Sequence, residues 1–383
     1  MLVRFVTFAL VAATLPVAAP AQATCVAPDV RTATAQRLRV LLDSLLAAHA
    51  EVPGISLHVE APTRCLTWSG SAGVLDRTST RTLSLDNPHR VASNTKTFVA
   101  VAVLRLQEEG KLGVDDPIAR YLPATYRDLL RRDGYDPQLI TIRHLLSHTS
   151  GIYDYAMDER YGLTIAAAPT HRWSREETVR KSVEWGAPYG APGEVYHYSD
   201  TGYNLLGEIV VRVSGRPYQS AVRQLVDYRK LGLTSTWMET LEPVPAGVPE
   251  RAHQYQDDVD TYGWDASLDL WGGGGIAATM RDLAVFIRAV ASGSVFRKRE
   301  TLDLMLADPV PGTRDARGYR LGIARVELAG REAWGHSGYW NTFAYYIPSL
   351  DVAIAGSITQ NQLRGARIPL ASRVAQLVAE ATR

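Results

Sequence analysis

The chain has 383 residues, of which 46% are hydrophobic and 21% charged, and its formal net charge is +1. This is the composition of a soluble globular protein, and the length exceeds the usual size of one compact core, so one large or two associated domains are expected. With no dense Lys/Arg run and almost no net charge, the chain has no electrostatic footprint for nucleic acid.

At the N-terminus, Arg4 precedes a short apolar run, Phe5 to Leu15, and Ala21-Gln22-Ala23 offers a small-residue cleavage site. Residues 1–23 therefore read as a signal peptide cleaved after Ala23, and the mature protein as periplasmic or secreted. The run is too short to span a bilayer comfortably and Pro16 breaks it, so no stable membrane insertion is expected. Cys25 and Cys65 both follow the cleavage point. Either they pair in an oxidising compartment, closing a loop worth roughly 3–4 kcal/mol, or they are two unrelated thiols. Two cysteines without a C-x-x-C spacing cannot build a thiolate metal site.

Leucines at helical spacing predict an amphipathic helix over Ala35–Ala48, followed by strands over Gly54–Glu60 and Cys65–Gly70. Thr95–Glu109 is apolar and long enough for a buried helix, closed by Gly110. From 114 to 267 the chain reads as helical and loop-rich. Ser174 with Glu177 forms a capping box for a helix that Gly186 ends, and Asp200 or Thr201 starts another that runs to Gly215. Thr279 with Asp282 is a further box, just after the Gly272–Gly275 run. Beyond it, Leu321–Leu328, Arg331–Trp334, Thr342–Pro348 and Val352–Ile358 read as strands, with turns at Ala329-Gly330 and Ser349–Asp351 and a closing helix over Pro369–Ala381. Strands at both ends around a helical middle predict an α+β fold. A mixed, mainly antiparallel sheet flanked by helices forms a discontinuous domain (24–113 and 268–383), with a helical domain inserted over 114–267.

Ser93-Asn94-Thr95-Lys96 stands at the head of the most apolar helix. Residues three apart share a helix face, so the Lys96 amine can reach the Ser93 hydroxyl, and N-terminal N–H groups can stabilise an oxyanion. Alone, the same tetrapeptide also fits a capping serine beside a solvated lysine. Tyr198-Ser199-Asp200 and Gly335-His336-Ser337-Gly338 follow at wide spacing. His144 and His148, four apart, have the spacing of a metal pair but no H-E-x-x-H glutamate and no evident third ligand, so neither metal nor organic cofactor is expected. The Gly272–Gly275 run lacks a following Lys-Ser/Thr and reads as a flexible turn.

The three elements, in this order, resemble the motifs of the penicillin-recognising serine hydrolases. The resemblance is to the branch holding class C β-lactamases, serine D-Ala-D-Ala carboxypeptidases and family VIII esterases. It extends through Arg90–Ser93, Gly110–Leu112, Asp115-Asp116, His144–Gly151, Tyr198–Gly207 and Gly274–Leu283. What it implies is acylation of Ser93 by a small-molecule or peptide-like substrate. Lys96 and Tyr198 would share the proton work in an order the sequence leaves open. The backbone N–H groups of Ser93 and Tyr339 would form the oxyanion hole, with His336, Ser337 and Gly338 along the substrate-binding strand edge.

Two departures from the family pattern bear on substrate. Asp200 stands where the peptidases and β-lactamases usually carry Asn, so an acceptor-only group replaces an amide donor and pairs with Lys96. His336 replaces the Lys of class C β-lactamases, a weaker anchor for a carboxylate, with Arg325 on the preceding strand as a possible compensating cation. Both favour an esterase or D-amino-acid-type peptidase over a β-lactamase. A non-catalytic binding protein for peptidoglycan fragments is the alternative of a different class.

Overall fold

The computed structural model describes residues 25–314 and 318–381. The expected signal peptide lies outside the described residues. Helix α1 spans Pro28–Ala48, seven residues longer at its start than the leucine spacing predicts, because Pro28 fits the first helical turn, where no N–H partner is needed. Strands β1 (Gly54–Ala61) and β2 (Leu66–Gly73) form an antiparallel hairpin, and Cys25 is disulfide-bonded to Cys65 beside its turn. Helix α2 (Thr95–Glu108) ends at Gly110, whose φ of +67° any side chain would resist. In the middle of the chain, helices α3 (Glu159–Ala167) and α4 (Asp200–Ser214) bear on the site. Helix α5 (Met280–Ala291) precedes strands β3 (Ala324–Leu328), β4 (Arg331–Gly338), β5 (Thr342–Ile347) and β6 (Val352–Ile358), and α6 (Arg367–Glu380) closes the fold.

The six strands make one antiparallel sheet in the order β2-β1-β6-β5-β4-β3. Strand alternation sorts its two faces. Phe343, Tyr345, Ile347, Ile354 and Ile358 pack with Leu38 and Leu42 of α1 and Val374 of α6. Ala344, Tyr346, Ala353 and Ala355 face Phe98 of α2 and Phe286 and Ile287 of α5. Small residues on this second face let α2 and α5 come close to the sheet. The Ser174–Glu177 capping box opens the helix Arg175–Trp185 as expected. Thr279 accepts from the Asp282 N–H, but the Asp282 carboxylate turns away to the Ser235 N–H and Thr236 Oγ1, so only half of the second box is made.

The 114–267 stretch is mainly helical, with short strands at Thr236–Met238, Tyr255–Gln256 and Val259–Asp260. Its apolar faces, among them Leu130, Leu145, Leu205 and Ile209, join α2 and α5 in one hydrophobic cluster. Thr236–Met238 pairs with Ile276–Ala278, which also pairs with His89-Arg90, and this small sheet brings the glycine run against the residues just before Ser93.

Candidate active site

Ser93 sits in a single 3-10 turn, Ala92–Asn94, that feeds α2. Ala92 is held at φ +45°, a left-handed conformation that an alanine adopts only when its surroundings impose it. Those surroundings are strand β4 and Asn94. A Cβ on Gly338 would stand 2.3 Å from the Val91 carbonyl oxygen, so only glycine lets the strand end approach this closely. Asn94 Nδ2 donates to the Val91 carbonyl at 2.8 Å and to Thr342 Oγ1 at 3.1 Å, tying the turn to the sheet.

One turn on, Lys96 is fully buried, with three oxygen atoms around its nitrogen. Nζ donates to Ser93 Oγ at 2.9 Å and to the Gly273 carbonyl at 2.7 Å, and lies 2.5 Å from Asp200 Oδ1. The last contact is a buried ion pair, through which Asp200 shares Lys96 with Ser93 and Gly273. The glycine run is therefore more than a flexible turn: it carries the carbonyl that orients the lysine. It can lie there because α4 and the loop touch backbone to backbone. A Cβ on Gly207 would stand 1.9 Å from the Trp271 carbonyl, and one on Gly272 2.0 Å from that of Tyr203.

Tyr198 arrives from the segment leading into α4 and stands beside Lys96. Its ring lies 4.9 Å from Lys96 Nζ and 4.2 Å from the ring of His148. Although the ring keeps some exposure, burial of the phenol and the charge of Asp200 push its pKa well above the usual 10, so it holds its proton at neutral pH. His148 is buried at φ +59° and accepts the Ser199 N–H at Nδ1, 3.1 Å away, which fixes the Tyr198 segment. Its fellow histidine, His144, accepts from the Thr141 N–H as part of a helix cap, so the two histidines serve separate local structures.

Asp200 is not the N-cap of its helix. Ser199 caps it by accepting the Gly202 N–H, and Asp200 is the first helical residue, which leaves its carboxylate for Lys96. Behind it, buried Asp154 accepts the Asp200 N–H at 2.9 Å, and its pKa is pushed up to about 7 by burial and by Asp200. Asp154 has no motif that marks it in the sequence.

His336 lies opposite Ala344, on the α2 face of the sheet. Nδ1 donates to the Ser337 carbonyl at 2.7 Å, which leaves Nε2 to accept from Tyr319 Oη at 3.0 Å. Burial and Lys96 lower its pKa to about 3, so the ring is neutral and both nitrogens are engaged. Ser337 corrects the expectation placed on it. It lies opposite Phe343, so its side chain belongs to the other face of the sheet. Arg325 also turns away, pairing with Glu332 at 2.7 Å and largely exposed. The cation near the strand end is instead Arg367, whose Nη1 donates to the Gly338 carbonyl at 3.0 Å. Because β3 begins opposite Gly335, residues 336–338 have no paired strand on that side among the described residues. Tyr339 is 44% exposed and donates its hydroxyl to Gln256.

A cavity of about 420 Å³ opens here, lined by Asp200, Asp269 and Tyr339 and walled by Tyr161, Ile165 and Leu268.

The model of a protein family described as Beta-lactamase matches residues 42–379. Esterase EstB of Burkholderia gladioli is 36% identical over 184 residues, 46% of this chain and 45% of that protein. Penicillin-binding protein 4* of Bacillus subtilis (strain 168) is 31% identical over 196 residues, 50% of this chain and 40% of that protein. The chain thus spans less than half the length of these curated relatives. A D-stereospecific amidohydrolase from Streptomyces sp. has a similar solved structure, with a TM-score of 0.71 at 28% identity, covering 90% of this chain and 98% of that one.

Proposed function

The chain belongs to the β-lactamase family, within the penicillin-recognising serine hydrolases, and from that premise we propose that it is an exported hydrolase that works through an acyl-enzyme on Ser93. Its substrates are small esters or peptide-like amides. The observation that carries this reading is the 2.9 Å contact of Lys96 Nζ with Ser93 Oγ, with Tyr198 beside the same pair.

With one proton of the Lys96–Tyr198 pair released to solvent beforehand, leaving an amine or a phenolate, the Ser93 Oγ proton passes to that vacancy as Oγ bonds to the substrate carbonyl carbon, and the same pair returns a proton to the leaving alkoxide or amine as that bond breaks. Water then attacks the Ser93 ester and releases the acid. The backbone N–H groups of Ser93 and Tyr339 hold the oxyanion, a role supported by the close approach of Gly338 to Val91, which makes the two segments neighbours. A phenol kept protonated by its surroundings suits Tyr198 as donor to the leaving group.

Ester and amide chemistry is supported by an esterase and a D-stereospecific amidohydrolase among the proteins this chain resembles. A β-lactamase is disfavoured by the neutral, doubly engaged His336 and by Arg325 turning to Glu332. Export is supported by the composition of residues 1–23 and by the Cys25–Cys65 disulfide, which suits an oxidising compartment. The test is p-nitrophenyl butyrate hydrolysis by the mature protein and its Ser93→Ala variant. A burst in the wild type and none in the variant are expected. Equal activity in both contradicts the reading, and inactivity of both across esters and amides favours the binding protein.

A further inference from the structure

A second cavity, of about 860 Å³, lies at the end of α2 remote from Ser93. Arg105, in the last turn of α2, lines it about 14 Å along the helix axis from Lys96. Arg216, Arg223, Arg229 and Arg297 line it too, and the only carboxylates in the lining are Glu109 and Asp227. Five arginines against two carboxylates leave a surplus of three positive charges. Carbonyls at a helix end attract one cation; they do not gather five.

The acids are also occupied elsewhere. Glu109 pairs with Lys111 at 2.8 Å and reaches Arg297 only at 3.8 Å, while Asp227 accepts the Lys230 N–H as a helix cap. Just outside the lining, Glu108 takes Arg105 Nη1 together with the Arg297 and Lys298 N–H groups and the Thr301 hydroxyl. Glu242 takes Arg223 Nε and the Met238 N–H. The guanidinium groups of Arg216 and Arg229 have no ion pair or hydrogen bond among the described residues.

Arg105 supplies a second observation, independent of that count. It is 9% exposed, so its charge has left bulk water, and its Nε is buried without a hydrogen-bond partner. Among the described residues only Nη1 finds an acceptor for this guanidinium. A recessed guanidinium with donors to spare is costly, and an anion entering the cavity offsets that cost. Guanidinium groups match phosphate oxygens in paired hydrogen bonds. One phosphate ester carries about 1.5–2 negative charges, so two linked phosphates come close to the surplus of three, which one carboxylate does not. Leu225, Leu233 and Pro245 line the same space and give an organic group somewhere to lie.

We propose that this cavity binds a molecule with two or more linked phosphate groups, such as a diphosphate ester, held by Arg105, Arg216 and Arg229. The site is separate from Ser93 and stands whether or not Ser93 is acylated.

The test is calorimetric titration of the mature protein and of Ser93→Ala with inorganic pyrophosphate, tripolyphosphate and phosphate at fixed ionic strength. Both proteins are expected to bind one equivalent of pyrophosphate or tripolyphosphate, and phosphate at least about tenfold more weakly. Arg216→Glu and Arg229→Glu change exposed side chains and should each weaken pyrophosphate about tenfold or more, the worth of one charged hydrogen bond. Arg39→Glu makes the same change of charge on α1, across the sheet, and should leave affinity unchanged. Vesicles of phosphatidylcholine carrying farnesyl diphosphate distinguish the two sources of such a group. Capture of the protein that pyrophosphate reverses assigns a lipid headgroup, and no capture assigns a soluble diphosphate. Absence of binding at millimolar pyrophosphate, by heat and by melting temperature, overturns the proposal. So does equal weakening by Arg39→Glu, or citrate binding as tightly as tripolyphosphate.

Discussion

Arg90 and Lys96 stand six residues apart, both buried and both paired with carboxylates, yet their surroundings differ in balance. Arg90 shares Glu239 with Arg251, at 2.8 and 2.9 Å, and sends its other nitrogens to the Thr261 and Trp264 carbonyls. Two cations thus hold one carboxylate, and backbone oxygens take the surplus donors. Around Lys96 the ratio reverses: Asp154, Asp200 and Asp269 surround one ammonium, and burial pushes Asp154 and Asp269 up to about 7. The first group is a strut whose value is structural. The second carries unmatched acid next to Ser93, the kind of imbalance that functional sites retain at some cost in stability.

Substitutions on either side sharpen this contrast. Tyr198→Phe removes a proton carrier and keeps the ring against His148, so kcat/KM for p-nitrophenyl butyrate should fall about 10²–10⁴-fold while the melting temperature barely moves. An equal loss of stability would place Tyr198 in the packing. Glu239→Ala strands two buried guanidinium groups and should cost about 3–5 kcal/mol in urea unfolding. A loss below 1 kcal/mol would erase the distinction between the two groups.

Asp200→Asn restores an amide donor beside Ser93 and should raise penicillin acylation about fivefold, the worth of one neutral hydrogen bond. No gain would mean that the carboxylate does not limit recognition. The smallest effect concerns pH. Asp269 is raised by burial, Asp200 and Glu239, against the opposing charges of Arg90 and Lys96. The folded protein therefore binds a proton here that the unfolded chain has lost, so the native state loses stability as pH rises from about 3.8 to about 7. Asp269→Asn should match the wild type below this window and be the more stable above it. A variant less stable throughout would make Asp269 a structural partner.

Local chemistry made much of this legible in the sequence. The apolar run closed by Gly110, the Ser174–Glu177 box and the alternating C-terminal strands each carry their own signal, and the structure reproduces them. The nearness of Ser93 and Lys96 was legible because a spacing of three brings them together, here through the 3-10 turn that runs into α2. Where reading stopped, the contact depended on distant backbone. Leu321–Ile323 looks like strand, yet Gly322, at φ +76°, donates to the Leu146 carbonyl, and β3 starts only at Ala324. The Gly273 carbonyl on Lys96 and the Asp154 carboxylate on α4 come from loops without periodicity. The side of Ser337 was hidden because it depends on strand register: a shift of one residue would reverse it.

Covalent acylation of Ser93 is tested most directly by mass spectrometry of the intact protein after reaction with an active-site phosphonate. A single phosphonyl adduct that maps to Ser93 and is absent from Ser93→Ala is the expected result. An adduct on another residue, or equal labelling of the variant, would contradict it.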